Sequence, residues 1–116
     1  MKSTIGLQKD RDFRKVYRHR NSMANRLLII YIRENQEEYN RVGFTVSKKV
    51  GKATVRNRVK RRMKESYRLR HHHVKLGYDV VFIARDTAAD SSLAEIDSAM
   101  MHLLQKKKLI KKKDVQ

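Results

Sequence analysis

The sequence predicts a single-domain α+β fold, an α/β sandwich. Three observations predict it: apolar runs of strand length at Leu27 to Ile32 (LLIIYI) and Tyr78 to Ala84 (YDVVFIA), longer segments whose apolar residues recur at helical spacing, and a length of 116 residues that suits one modest core. Against 12 Asp and Glu stand 29 Lys and Arg, a formal charge of +17 and a pI near 10.5. A hydrophobic content of 40% carried in such runs separates the chain from a disordered basic tail.

Residues 1–9 read as a mobile arm. Asp10 is a plausible N-cap for a helix from Arg11 to about Arg18, with Phe13, Val16 and Tyr17 at i, i+3 and i+4 on one face. Asn21 to Asn25 is small and polar, a turn with room for a brief strand. Leu27 to Arg33 is a strand that places Leu28, Ile30 and Ile32 on one face and Leu27, Ile29 and Tyr31 on the other. The polar run Glu34 to Asn40 reads as a hairpin connection, and Arg41 to Ser47 returns with Val42, Phe44 and Val46 inward. Its other face, Gly43, Thr45 and Ser47, is small and polar, which predicts open space beside Tyr31 rather than a packed helix.

Gly51 ends that strand, Thr54 is positioned to cap, and Val55 to about Val74 reads as a long helix closed by Gly77. At roughly 100° per residue, Val59, Met63, Ser66 and Tyr67 form one narrow apolar stripe. Tyr78 to Ala84 is apolar almost throughout, as central strands tend to be. Ser92 and Glu95 form a capping box that opens the last helix, whose Leu93, Ile96, Met100, Leu103 and Leu104 recur at core spacing. Residues 106–116 are a Lys-rich tail. The expected order is α-β-β-β-α-β-α.

There is no cysteine, hence no disulfide framework or thiolate metal site. No apolar run reaches signal-peptide or bilayer-spanning length, so the expectation is a soluble, cytoplasmic protein with no membrane partner.

Charge concentrates between Lys48 and Arg70, where Glu65 is the sole acid. On the helical wheel Arg56, Asn57, Lys60, Arg61, Lys64 and Arg68 make a continuous arc flanking the apolar stripe, and Lys52 precedes them. An ordinary solvated helix face interleaves acids for i,i+4 pairing. A face without them points to a polyanion, because arginine offers a planar fork matched to phosphate and lysine adds mobile charge. Phe13 and Tyr17, with Tyr31 beside small residues, form a candidate stacking platform for single-stranded nucleic acid. The plainer reading of Phe13 and Tyr17, two core residues at i and i+4, stays open.

The stretch from Arg41 to Arg62, RVGFTVSKKVGKATVRNRVKRR, resembles the signature of the bacterial ribonuclease P protein subunit, and DFRKVYRHR, SMANRLLIIYI and YDVVFIAR come in that family's order. The resemblance implies a left-handed β-α-β crossover around the basic helix, in a fold like the second domain of ribosomal protein S5, against the usual handedness of such crossovers. It implies two RNA partners. The catalytic RNA would be bound through Lys52, Arg56, Asn57, Arg58, Lys60, Arg61, Lys64 and Arg68. The 5′ leader of precursor tRNA would lie in a cleft of Phe13, Tyr17, Tyr31, Thr45 and Ser47 with Lys48 and Lys49 at its end. Endonucleolytic removal of the leader would be performed by the RNA with Mg²⁺, no catalytic or metal-binding residue would come from the protein, and protein oligomerisation would not be required.

The residues themselves give no support to catalysis by this chain, since Asp79, Asp86, Asp90, Glu95 and Asp97 have no recurrent spacing to hold metals. His71, His72 and His73 would point about 100° apart on a helix and so do not converge on one ion. The alternative function is a ribosomal or ribosome-assembly RNA-binding protein. A membrane-surface helix would need a bulkier apolar face than Val, Val, Met and Tyr, and the strand pattern argues against a helix-turn-helix.

Overall fold

The computed structural model describes residues 4–111. The elements are β1 (Thr4–Gly6), α1 (Asp10–Arg18), β2 (Ser22–Ala24), β3 (Leu28–Glu34), β4 (Asn40–Thr45), α2 (Ala53–Arg70), β5 (Tyr78–Ala84) and α3 (Leu93–Lys106), with single 3-10 turns at Lys48–Val50, His71–His73 and Asp86–Ala88. They form one five-stranded sheet in the order β1-β4-β5-β3-β2. β1 and β5 run parallel to β4, whereas β3 is antiparallel to both β5 and β2.

One face of the sheet carries the larger core. Leu28, Ile30, Ile32, Val42, Val80 and Phe82 meet Val59, Met63 and Tyr67 of α2 and Ile96, Met100, Leu103 and Leu104 of α3. The stripe read from the α2 wheel is the set of residues that this helix buries. Phe44 stacks on Phe82 at 6.1 Å between centroids, and Tyr67 packs edge-on against Phe44 at the same spacing. Burial pushes the Tyr67 phenol up to about 12. On the other face α1 lays Val16 against Val81 and Leu7, with Phe13, Tyr17, Tyr31 and Ile83 around them.

The capping box of α3 is formed, with the Ser92 hydroxyl accepting from the Glu95 backbone and the Glu95 carboxylate accepting from the Ser92 backbone. Several expectations need correction. Thr4–Gly6, expected in a mobile arm, pairs with Asn40–Val42 as β1; three residues are too few to show a periodicity. Residues 1–3 of that arm and 112–116 of the tail lie outside the described residues. The segment Glu34–Asn40 is not a hairpin turn, because β5 inserts between β3 and β4 and takes hydrogen bonds from both. Position 10 is already helical and Lys9 holds the N-cap without a side-chain bond, as Lys52 does for α2, so neither Asp10 nor Thr54 caps. The long helix stops at Arg70, the histidines form the 3-10 turn, and Gly77, with φ +98°, turns the chain into β5 instead of closing the helix.

One row of side chains ties the three central strands. Asp79 on β5 lies directly between Arg33 on β3 and Arg41 on β4 in the sheet register. Its carboxylate, wholly removed from solvent, accepts from Arg41 Nε at 2.8 Å and Nη2 at 2.7 Å, from Arg33 Nη1 at 3.2 Å and from Asn35 Nδ2 at 3.0 Å. Burial alone would raise this carboxyl, yet the hydrogen bonds of Arg41 and Asn35 and the charges of Arg41 and Arg33 outweigh it and hold it below the usual carboxylate range. A depressed folded-state pKa contributes stability that is complete above the unfolded value and is lost as pH falls through the folded one, so the loss begins below about pH 5. Asp79→Asn should therefore destabilise the fold at neutral pH by about 3 kcal/mol, the lower end for breaking a buried pair, because both arginines keep some solvent contact. Denaturant titrations from pH 7 to pH 3 check this; a variant as stable as the parent, or one with an equally steep acid limb, would refute it.

Candidate nucleic-acid interface

The α1 face of the sheet is built in rows. Beside the Arg33–Asp79–Arg41 row comes Tyr31–Val81–Gly43, and next Ile29–Ile83–Thr45. Helix α1 crosses these rows. A Cβ at Gly43 would stand 2.5 Å from two carbons of the Phe13 ring, so the missing side chain is what seats Phe13 on β4. Tyr17 meets Tyr31 edge-on at 5.0 Å and Phe13 at 6.4 Å, and its hydroxyl stands 3.4 Å from Thr45 Oγ1. The open space expected next to Tyr31 is thus filled by α1, and Tyr31 supports Tyr17 from below.

The space lies one step further along, between α1 and α2. An open groove of about 540 Å³ is bounded by Phe13, Arg14 and Tyr17 of α1, by Phe44, Thr45 and Val46 at its floor and by Lys60 of α2. It continues past Phe13 into a second hollow of about 500 Å³ lined by Leu7, Gly43, Phe44, Lys60 and Lys64. One wall is aromatic and the other cationic. Such a channel offers ring faces to bases and ammonium groups to phosphates, the combination that binds single strands without reading sequence. Asp10 is the acid at its rim.

The structure brings Phe13, Tyr17 and Thr45 together in this groove, and it places Tyr31 behind them. Ser47, Lys48 and Lys49 are exposed just beyond the Thr45 end of β4, with both lysines in the 3-10 turn. Along α2, Lys52, Asn57, Lys60, Arg61, Lys64 and Arg68 are exposed, and Asn57, Lys60, Arg61 and Lys64 border a further shallow hollow. Arg68 is partly neutralised by Glu65, which accepts from it at 2.6 Å; that contact holds the Glu65 carboxyl below its ordinary range. Arg56 is half-buried.

Arg58 does something different. Its Nη2 donates to the Ala89 carbonyl at 3.1 Å, and Arg62, one turn on, donates to the Ser91 carbonyl. Two of the helix's cations therefore hold the loop before α3, while Arg70 takes Asp97 at 2.6 Å, together with the Ser66 hydroxyl, and keeps that carboxyl low. Sequence reasoning missed this division because a wheel shows direction and not what stands opposite. It also missed Arg14, Phe44 and the groove role of Lys60. Arg14 was within reach, lying three residues before Tyr17 on the same helical face.

Among the described residues no three His, Cys, Asp or Glu side chains are placed to hold a metal ion. The carboxylates of Asp79 and Asp97 already spend their oxygens on arginines, so these two donors do not fit a magnesium site. No helix is long and apolar enough to cross a membrane among the described residues.

These features define a small, strongly basic α+β RNA-binding protein whose aromatic groove runs beside a cationic helix. The family follows from comparison: the Ribonuclease P family model matches residues 1–108. The ribonuclease P protein component of Alkaliphilus oremlandii (strain OhILAs) is 61% identical over 110 residues, 95% of this chain and 96% of that protein. That of Clostridioides difficile (strain 630) is 53% identical over 104 residues, covering 89% and 91%. The RNase P protein of Staphylococcus aureus superposes with a TM-score of 0.84 at 33% identity over 91% of this chain and 97% of that one. For Thermotoga maritima the TM-score is 0.79 at 29% identity, over 86% and 94%. The chain belongs to the ribonuclease P protein family. It is a tRNA-processing subunit of an endoribonuclease complex and not a ribosomal protein.

The seat of Phe13 gives a direct test. Gly43→Ala and Phe13→Ala should each lower stability, but in combination the added methyl no longer meets a ring, so a double-mutant cycle should show coupling of about 1 kcal/mol or more. Additive effects in urea denaturation would mean that the contact does not position Phe13.

Proposed function

We propose that this chain grips the catalytic RNA of ribonuclease P with the exposed face of α2 and holds the single-stranded 5′ leader of precursor tRNA in the groove between α1 and α2. The observation that carries the reading is the facing of Phe13 and Tyr17 by Lys60 and Lys64 across one open channel. Aromatic stacking is worth about 1–3 kcal/mol per base and tolerates any sequence, which suits leaders that differ from one precursor to the next. Lys48 and Lys49 extend the positive charge beyond the Thr45 end. Lys52, Arg56, Asn57, Arg61 and Arg68 face the catalytic RNA, and Arg58 contributes chiefly by fixing the loop that α2 leans on.

Hydrolysis belongs to the RNA and its Mg²⁺ in this reading. The protein adds affinity: it lengthens the contact with substrate and offsets phosphate repulsion within the assembled complex, which lowers the Mg²⁺ the RNA needs. The isolated chain is inactive, acts without protein oligomerisation and works in the cytoplasm.

Reconstitution with a bacterial ribonuclease P RNA at low Mg²⁺ tests the whole reading, because adding the chain should restore leader removal that the RNA alone performs poorly. No change in cleavage or in substrate affinity would sink it. Within that assay Phe13→Ala and Tyr17→Ala should weaken precursor binding about tenfold or more while leaving affinity for the catalytic RNA near the parent value. Lys52→Ala with Arg61→Ala should do the reverse and reduce the salt dependence of RNA binding by about one to two phosphate contacts. Equal losses of both affinities in both variants would mean that the two surfaces are one.

A further inference from the structure

We propose that the end of the molecule where α1 and α3 terminate is a second surface for the catalytic RNA, contacting its phosphodiester backbone through Arg20 and Lys108. The proposal rests on the assignment of α2 to that RNA. Arg20 follows α1 with φ +58° and Lys108 follows α3 with φ +59°. This is left-handed backbone, which glycine adopts at no steric cost and which other L residues adopt with strain. Helix α3 ends in a Schellman arrangement: the Lys108 amide donates to the Gln105 carbonyl at 3.0 Å and the Leu109 amide to the Leu104 carbonyl at 2.9 Å, with Leu104 and Leu109 buried beside it. Lys108 thus fills the position that glycine usually takes. At α1 the Arg20 amide donates to the Tyr17 carbonyl at 3.1 Å in the corresponding place.

The attraction of a helix C-terminus for cations accounts for Arg18 and Lys106, which lie within the last turns. It does not account for a long cationic side chain on the strained residue past each end. Local strain retained at two matching positions is a reason to look for function there.

The two ends lie against each other, since Lys107 Nζ donates to Asn21 Oδ1 at 2.6 Å. Around that contact is a polar hollow of about 420 Å³ whose lining includes His19, Arg33, Glu34 and Lys107. Glu34 is the one acid lining it, and Arg33 is committed to Asp79. Among the described residues no ion pair engages Arg18, Arg20, Lys106, Lys107 or Lys108. The segment after α3 folds back onto the segment after α2, with the Lys75 amide donating to the Leu109 carbonyl at 2.6 Å and the Lys111 amide to the His73 carbonyl at 2.9 Å. The cationic run that starts on α2 therefore continues through the exposed Lys75 to Lys108. That continuity assigns the surface to the RNA that α2 holds.

The test uses the full chain and the catalytic RNA of ribonuclease P. An Arg20→Gly/Lys108→Gly double variant removes both cations while relieving backbone strain, so its thermal stability should equal or exceed the parent's. Its affinity should fall several-fold near 0.15 M salt, and the log–log salt slope should flatten by roughly 1.4–1.8, at about 0.7–0.9 per lost phosphate contact. Arg20→Lys/Lys108→Arg, which keeps the charge, should bind like the parent. Unchanged affinity and slope in the glycine variant overturn the second surface, and so do a loss with no change of slope, an equal loss in the charge-keeping variant, or a loss confined to precursor tRNA. Lys52→Ala/Arg61→Ala separates the two readings: if it weakens binding while the glycine variant does not, only the second surface fails, and if neither does, the assignment of α2 fails with it.

Discussion

A single buried carboxylate sets the register on which the site depends. Asp79 has no water to solvate it, so the fold must bring Arg41, Arg33 and Asn35 to it, and these come from the strands on either side of β5 and the turn after β3. A slip of one residue in either pairing would point Asp79 at the opposite, apolar face and strand the charges. The same register that satisfies Asp79 also puts Gly43 beside Val81, with Tyr31 on the far side of it. Arg41 in addition stands 3.8 Å from Asp12, which links the row to α1. The aromatic wall is thus positioned from a polar contact one row away.

Helix α2 shows how one basic segment serves two purposes. Its stripe of Val59, Met63, Ser66 and Tyr67 is buried, and cations on each side of that stripe have opposite fates. Arg58, Arg62 and Arg70 lean toward α3 and satisfy carbonyls or a carboxylate there. Lys60, Arg61 and Lys64 are exposed, and among the described residues no ion pair engages them. Counting positive charges along the segment therefore overstates what is available to a ligand. The partners across the helix interface decide which charges are free.

The sequence was most readable where one local signal decides the outcome. Tyr78–Ala84 and the Ser92–Glu95 cap declare themselves by apolar continuity and by a reciprocal hydrogen bond, and the buried stripe of α2 by its period. The partnership of Phe13 with Tyr17 was readable on the same basis. Long-range facts were not. Nothing between Glu34 and Asn40 distinguishes a hairpin from a link that must span an inserted strand, and β1 is stabilised by β4 rather than by its own composition. The ends of α1 and α3 were obscured for another reason, since Arg20 and Lys108 occupy positions that glycine ordinarily marks. The groove required knowing that α1 packs over Gly43, which moves the open channel from Tyr31 to the gap beside α2.

The strand order also bears on how the chain reaches this state. The central partner of the sheet is the last strand made, because β5 ends at Ala84 and separates β3 from β4. Until it arrives, β3 and β4 have no common partner, and Leu28, Ile30 and Val42 have no complete surface to join. A chain growing from its N-terminus therefore holds the β1–β4 and β2–β3 pairs without their shared partner until most of the sheet's sequence has been synthesised, and the sheet then closes through contacts distant in sequence. Folding should be a late, concerted event with little stable structure in shorter fragments, and the dense positive charge of α2, already made by that point, would help keep the waiting chains apart.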